Sequence, residues 1–334
     1  MPTILCAMPE STFRRLMTPE LEAELNALGE VLPCPNAKEL SEAEYGALWE
    51  RADAVLTGWG VRPPTPEILD RASRLRIISH TAGSVRMFPR YALEKGIVIT
   101  TARAAIARTV AEFCLMNALI LLRRYIYFLD SDPKRKEALA PEGSRPYTYS
   151  LHGKTVGLVG FGCIGRFLRR MLAPFGCTVL VYDPYVTPEE AGHYQVTLTD
   201  LPTLLQTSQI VSLHAPDIPQ TRGMIGANEL ALLQDGAVFL NSARGRLVDT
   251  EALTAALSTG RFFAAIDVTD PEPLPSDHPL RTLPNVLFTP HVAGPTEDEL
   301  PELARMALTD LKRFLHGEPP LYPMSLETYD LMSF

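Results

Sequence analysis

The run "KTVGLVGFGCIGRFLRRMLAPFGCTVLVYD", residues 154–183, constrains this chain more than any other. A short apolar strand leads into Gly160, Gly162 and Gly165, spaced GxGxxG. Ile164, Phe167, Leu168, Met171 and Leu172 then recur at helical spacing until Pro174, and a second apolar strand closes on Asp183. Strand, glycine turn, helix and strand in that order predict a βαβ unit in an open α/β sheet.

The three glycines have distinct physical uses. Gly160 permits the tight turn, Gly162 lets backbone approach a ligand without a Cβ in the way, and Gly165 lets helix pack close to strand. The backbone amides from Cys163 and Ile164 onward open the helix, whose N-terminus is an anion site suited to a pyrophosphate. Asp183, eighteen residues beyond Gly165, stands where a carboxylate accepts ribose hydroxyls and repels a 2′-phosphate. These residues predict NAD in preference to NADP.

At 334 residues and 46% hydrophobic content the chain can build two cores. Its first hundred residues alternate apolar runs ("TILCAM", "EVLPC", "ADAVLTGW", "LRIISHTA", "GIVITTA") with polar or amphipathic stretches, as in a parallel sheet with helical crossovers. From Arg103, "ARTVAEFCLMNALILLRR" is apolar on nearly every face and reads as a helix buried between domains or subunits. Residues 130–150 are rich in charge, Pro and Ser without periodicity and read as a surface arm or linker. A second strand series, "KTVGLVG", "TVLVYD", "QIVSLHA", "GAVFLNSA" and "FFAAID", follows. Thr296 and Glu299 read as a capping box opening one long final helix, with Leu300, Leu303, Ala304, Ala307, Leu308 and Leu311 on one face.

Composition excludes several classes of function. The net charge of −8 comes without a Lys/Arg block, which disfavours nucleic acid. The N-terminus has no export pattern, and "FCLMNALILL" is too short for a bilayer, so no membrane association is expected. Five cysteines without CxxC or metal-ligand spacing suit free thiols in a cytoplasmic protein, and no metal site is expected.

Three further segments, "NSARGRLVD", "DVTDPEPLPSDHPL" and "TPHVAG", sit at strand ends of the second series. They offer an Arg, several acids and a His. Hydride addition to the ketone of a 2-oxo acid builds negative charge on its oxygen. It therefore needs a proton donor, a cation for the adjacent carboxylate and an acid supporting the donor. The residues alone leave Asp267, Asp270, Glu272 and Asp277 as candidate partners for His291.

In order and approximate spacing, "GFGCIG", "YD", "NSARGRLVD", "DVTDPEP" and "TPHVAG" resemble the D-isomer-specific 2-hydroxyacid dehydrogenase family over nearly the whole nucleotide-binding half. The resemblance implies two doubly wound parallel-sheet domains with a cleft between them. One is a Rossmann NAD-binding domain, residues 103–296; the other is a flavodoxin-like substrate domain, residues 1–102 completed by 297–334. It implies interconversion of a 2-oxo acid and a D-2-hydroxy acid by a homodimer. Arg244 would hold the substrate carboxylate, His291 would be the acid/base and Glu272 would fix its tautomer, while Asp270 and Asp277 stay solvated. Asp267 would orient the nicotinamide, with His214, Ala215, Ser242, Ala243 and Arg244 also at the cofactor. Ala82, Gly83 and Ser84 would offer backbone N–H groups to the substrate.

The chain departs from the family pattern at two places. After Ser84 it continues "VRMFP" in place of an acidic or Asn-rich stretch, and Cys163 stands where a basic residue is frequent. Trp59 is expected either to line an apolar substrate pocket or to pack in the core. His80, His152, His193, His278 and His316 match no catalytic position. Formate oxidation is disfavoured, because that branch carries Gln where Glu272 stands. The alternative from another class is a non-catalytic NAD(H)-sensing, corepressor-like binding protein on the same scaffold.

Overall fold

The five apolar runs of the first hundred residues become five parallel strands: β1 (Thr3–Ala7), β2 (Glu30–Pro33), β3 (Ala54–Thr57), β4 (Ile77–His80) and β5 (Val98–Thr101). The computed structural model describes residues 1–140 and 147–333. The chain divides into two compact units, residues 1–106 with 295–334 and residues 107–294.

The first unit has the strand order β2-β1-β3-β4-β5, which is the flavodoxin-like order. Because every strand is parallel, each connection crosses over, and both faces must be covered. Leu5, Val55, Ile78 and Ile99 point into one core with Tyr45, Trp49 and Phe88. Ile4, Leu56 and Ile77 point into the other, against the helix Leu300–Leu315. All six apolar residues expected on that helix are buried. A Leu303→Ala change there removes buried volume worth about 2–5 kcal/mol.

The start of that helix differs from the expected capping box. Helix geometry begins at Leu300, Glu299 makes no side-chain cap, and the Thr296 hydroxyl bonds instead to Asp298 Oδ1 at 2.6 Å. Pro301 in the first turn has no N–H to be capped. Nor is this helix the last, since Leu326–Asp330 forms another, capped by Ser325.

The second unit holds β6 (Thr155–Val159), β7 (Thr178–Tyr182), β8 (Thr197–Leu198), β9 (Ile210–Leu213), β10 (Val238–Asn241), β11 (Phe263–Ile266) and β12 (Val286–Phe288). Their order is β12-β11-β10-β9-β6-β7-β8, all parallel. This is a Rossmann order whose reversal point lies between β6 and β9, where ligands of such sheets bind. The edge strands β8 and β12 were not read from the sequence, being two and three residues long.

Two expectations about the middle of the chain are corrected. The apolar helix is Arg103–Leu122, 20 residues, long and apolar enough by length and composition to cross a bilayer; 56% of its apolar window is nevertheless buried inside the protein, as in a core helix. Within the expected arm at 130–150, Pro133–Leu139 is a helix opened by the Asp132 side chain. Residues 141–146 of that arm lie outside the described residues.

Candidate functional site

The glycine turn follows β6 at the reversal point. Gly160 has φ +95°, and a Cβ there would meet the backbone of His214 and Ala215 at 2.6 Å. Only glycine serves. A Cβ on Gly165 would lie 2.9 Å from the Gly160 carbonyl, so this glycine sets the close approach of helix and turn. Gly162 is different, for a Cβ there would meet nothing within 4 Å. The space beside it is left open by the protein at the N-terminus of the helix Cys163–Leu172, whose first N–H groups lack intrahelical acceptors.

Asp183, just past β7, is held by its own chain. Oδ2 accepts from Phe161 N at 2.7 Å and Oδ1 from Tyr185 N at 2.9 Å. The acid therefore clamps the glycine turn, with one lone pair on each oxygen beyond these two bonds. Across the reversal point, His214 follows β9 and bonds through its N–H to Val159 O at 2.7 Å. Both of its ring nitrogens are shielded from solvent without a hydrogen-bond partner in the protein. Desolvation pushes its pKa down to about 4, so the ring is neutral at pH 7. Orphaned nitrogens on a residue whose backbone packs against Gly160 fit a polar ligand at the reversal point. The turn, the helix start and the terminal acid fit NAD.

The next strand ends supply the charged groups. Asn241 closes β10, where its Oδ1 accepts from Ala243 N at 3.1 Å and its Nδ2 donates to Arg244 O at 3.0 Å. This Asx-type loop presents Arg244. The guanidinium donates to Ala243 O at 2.7 Å, and burial pushes its pKa down, opposed by the carboxylates of Glu272 and Asp217. Ser242 lies 3.0 Å from the thiol of Cys114, with Ala243 buried beside it. Gly245 presses onto the next segment, for a Cβ there would fall 2.0 Å from the Thr269 carbonyl carbon.

That contact brings the Arg244 loop against the acidic-proline turn. In the turn Glu272 Oε1 lies 2.5 Å from His291 Nδ1. Of the four acids left open by the sequence, Glu272 is the one on the His291 ring. Asp270 is exposed and 3.7 Å from Arg246, and Asp277 is exposed. Asp267, by contrast, is buried and accepts from three protein donors: Thr289 Oγ1 at 2.6 Å, Val292 N at 2.8 Å and Ala293 N at 2.9 Å. His291 itself has φ +56°, a left-handed conformation that costs a non-glycine residue free energy and clusters at functional sites.

Sequence reading missed Asn241 and Gly245. The Asn at a strand end two residues before a small residue was a readable Asx signal, whereas the Gly245 contact is a long-range fact with no local signature. It also missed Asp217, a buried acid paired with Arg222 at 2.7 Å.

In the first unit, Ala82, Gly83 and Ser84 follow β4 as expected. The Thr101 hydroxyl donates to the carbonyls of Ala82 and Gly83, and the Ser84 hydroxyl donates to Ser333 O at 2.6 Å. Trp59 is exposed just past β3, at the reversal point of that sheet, which removes the core-packing alternative. His80 is buried, with Nδ1 2.8 Å from Thr57 Oγ1 and its ring edge-on to Phe88. Among the described residues no group of His, Cys, Asp and Glu could hold a metal.

A family model described as "D-isomer specific 2-hydroxyacid dehydrogenase, NAD binding domain" matches residues 115–293. The chain is 33% identical over 300 residues to the D-3-phosphoglycerate dehydrogenase of Methanocaldococcus jannaschii, covering 89% of itself but 56% of that protein. It thus spans little more than half of that relative's length. It is 35% identical over 260 residues to the glyoxylate reductase of Thermofilum pendens, covering 76% of each chain. A crystal structure of D-lactate dehydrogenase with NAD+ from Lactobacillus jensenii superposes with a TM-score of 0.76 at 25% identity, covering 97% of this chain and 99% of that one.

Proposed function

The chain belongs to the D-isomer specific 2-hydroxyacid dehydrogenase family, and we propose that it interconverts a 2-oxo acid and the corresponding D-2-hydroxy acid. NAD is the cofactor; when bound, its nicotinamide ring supplies or accepts the hydride. The observation that carries the proposal is the 2.5 Å contact of His291 Nδ1 with Glu272 Oε1 in electrostatic reach of Arg244.

The residues divide the work by their chemistry. Glu272 takes the Nδ1 proton of His291 as its hydrogen bond and fixes the tautomer, which leaves Nε2 for proton exchange with the reacting oxygen. In reduction His291 donates; in oxidation the neutral ring accepts. Arg244 offers two parallel N–H groups to the substrate carboxylate, a geometry Lys lacks. Gly162, Cys163, Ile164 and the helix N-terminus would hold the pyrophosphate, Asp183 the ribose hydroxyls. His214, Ala215, Ser242 and Ala243 would flank the cofactor on the far side of the reversal point. The amides of Gly83 and Ser84 would bind the substrate, with Trp59 toward its side group.

The test is NADH oxidation by the purified protein with glyoxylate, hydroxypyruvate, pyruvate and bulkier branched or aromatic 2-oxo acids. Turnover of at least one supports the proposal. NADH binding without turnover across the panel overturns it and points to a cofactor-sensing binding protein.

We also propose a cytoplasmic homodimer. Tyr125, Phe128 and Leu129, and also Tyr147 and Tyr149, are exposed in the second unit, and large exposed apolar side chains are what a protein contact would cover. All five cysteines are free thiols, which suits a reducing compartment. Sedimentation as a monomer at micromolar concentration would refute the dimer.

A further inference from the structure

The turn after β4 reads "SVRMFP", and the structure shows what those residues meet. The end of the chain first adds to the sheet edge, with Met324 N bonded to Ile99 O at 2.8 Å and Pro323 bridged to Thr100. The helix Leu326–Asp330 then brings the last residues onto the turn. Ser84 Oγ donates to Ser333 O at 2.6 Å, and Val85 N donates to the Met332 thioether at 3.1 Å. Tyr329 is buried, its hydroxyl donates to Phe88 O at 2.6 Å, and the Arg86 guanidinium lies 4.8 Å above its ring. Arg90 makes two bonds to the carboxylate of Asp330, at 3.0 and 3.1 Å.

Four turn positions, 84, 85, 86 and 88, are thus fixed by residues more than two hundred positions away in sequence. The turn has no regular structure of its own. Thr101 already ties the carbonyls of Ala82 and Gly83, so the contacts with residues 329–333 hold the other side of the turn, from Ser84 on. Loosening that side frees the Ser84 amide, and an amide that is not held in place binds an anion less tightly.

We infer that the C-terminal residues 329–333 are positioning residues for substrate, holding the Ala82–Ser84 turn so that its amides are arranged for the carboxylate of a 2-oxo acid. The inference rests on the reaction proposed above. Ser84, Val85 and Arg86 are then one half of a paired arrangement, and residues 329–333 are the other. Such residues act on substrate binding and leave the glycine turn of the second unit alone. A merely structural clamp would lower the melting temperature without moving KM.

The experiment compares wild-type protein, a chain ending at Leu331, Tyr329→Phe, Ser84→Ala, and Ser84→Ala in the shortened chain. Each is measured by circular dichroism, NADH titration and steady-state kinetics with the 2-oxo acid that wild-type enzyme turns over fastest. Shortening is expected to raise KM about tenfold with kcat within about threefold and NADH affinity within about twofold, while Tyr329→Phe raises KM about threefold. Ser84→Ala should add little in the shortened chain, because its acceptor is already gone and only the 3.3 Å bond from Arg86 N is left to lose. Should the shortened chain fail to fold, Tyr329→Phe and Ser84→Ala decide the matter by their KM. Folded variants with wild-type KM overturn the inference and leave the reaction standing. Wild-type protein without turnover overturns both.

Discussion

The peptide N–H of His291 bonds to the carbonyl of Asp267 at 2.8 Å, and the Asp267 carboxylate takes the N–H groups of the next two residues. One buried acid therefore holds His291 at φ +56°. Asp267→Ala should lower stability by about 2–4 kcal/mol, through lost charge-assisted bonds and unsatisfied amides. It should also lower kcat/KM about a hundredfold, because the imidazole loses its aim. Urea unfolding and steady-state kinetics check both.

His291→Ala removes the proton donor and leaves the glycine turn untouched. Reduction of any 2-oxo acid substrate should fall by about 10³, with NADH affinity by fluorescence titration nearly unchanged. Loss of NADH binding in a folded variant would sink the assigned role.

Gly160 and Gly162 should separate folding from binding. Gly160→Ala forces a Cβ into backbone at φ +95° and should destabilise the protein by several kcal/mol. Gly162→Ala has a negative φ and open space, so its melting temperature should stay near wild type. Its NADH affinity should nevertheless drop about tenfold or more, since the methyl occupies room meant for the pyrophosphate.

Asp183→Ser keeps a short polar side chain and removes the charge that repels a 2′-phosphate. The ratio of kcat/KM for NADH to that for NADPH should fall about a hundredfold. Because Asp183 also holds the amides of Phe161 and Tyr185, NADH binding itself should weaken. A ratio that does not change would remove Asp183 from cofactor selection.

Burial holds the imidazoles of His80 and His214 at about 4, below the ordinary 6.5. Below pH 6.5 the unfolded chain takes up protons that the folded one refuses. Their contribution is thus complete above pH 6.5, declines as pH falls and levels off near pH 4. Each should cost the apoprotein about 2 kcal/mol between pH 7.5 and 5. His80→Gln should shrink that difference by the same amount in urea unfolding at the two pH values.

What could be read in advance was what local spacing encodes. The glycine turn, the alternating apolar runs and the face Leu300–Leu311 all carry their structure within a few residues, and each became the expected element. The Thr296–Glu299 cap failed because Pro301 starts the helix without needing it. Glu272 could be chosen from its neighbours only through family likeness, since nothing in "DVTDPEP" says which acid the turn will aim at a ring nineteen residues on. The contact of Gly245 with Thr269, and of Ser84 with the chain end, join distant segments and leave no periodic trace.

With backbone of Thr269 and Asp270 filling the volume where a side chain at 245 would go, the two loops bearing opposite charges interlock like mating parts. Anyone redesigning which acids this protein accepts would do well to leave that joint alone. On the function proposed above, variation belongs around Trp59 and the turn after β4, whose residues are separate from Arg244, Glu272 and His291.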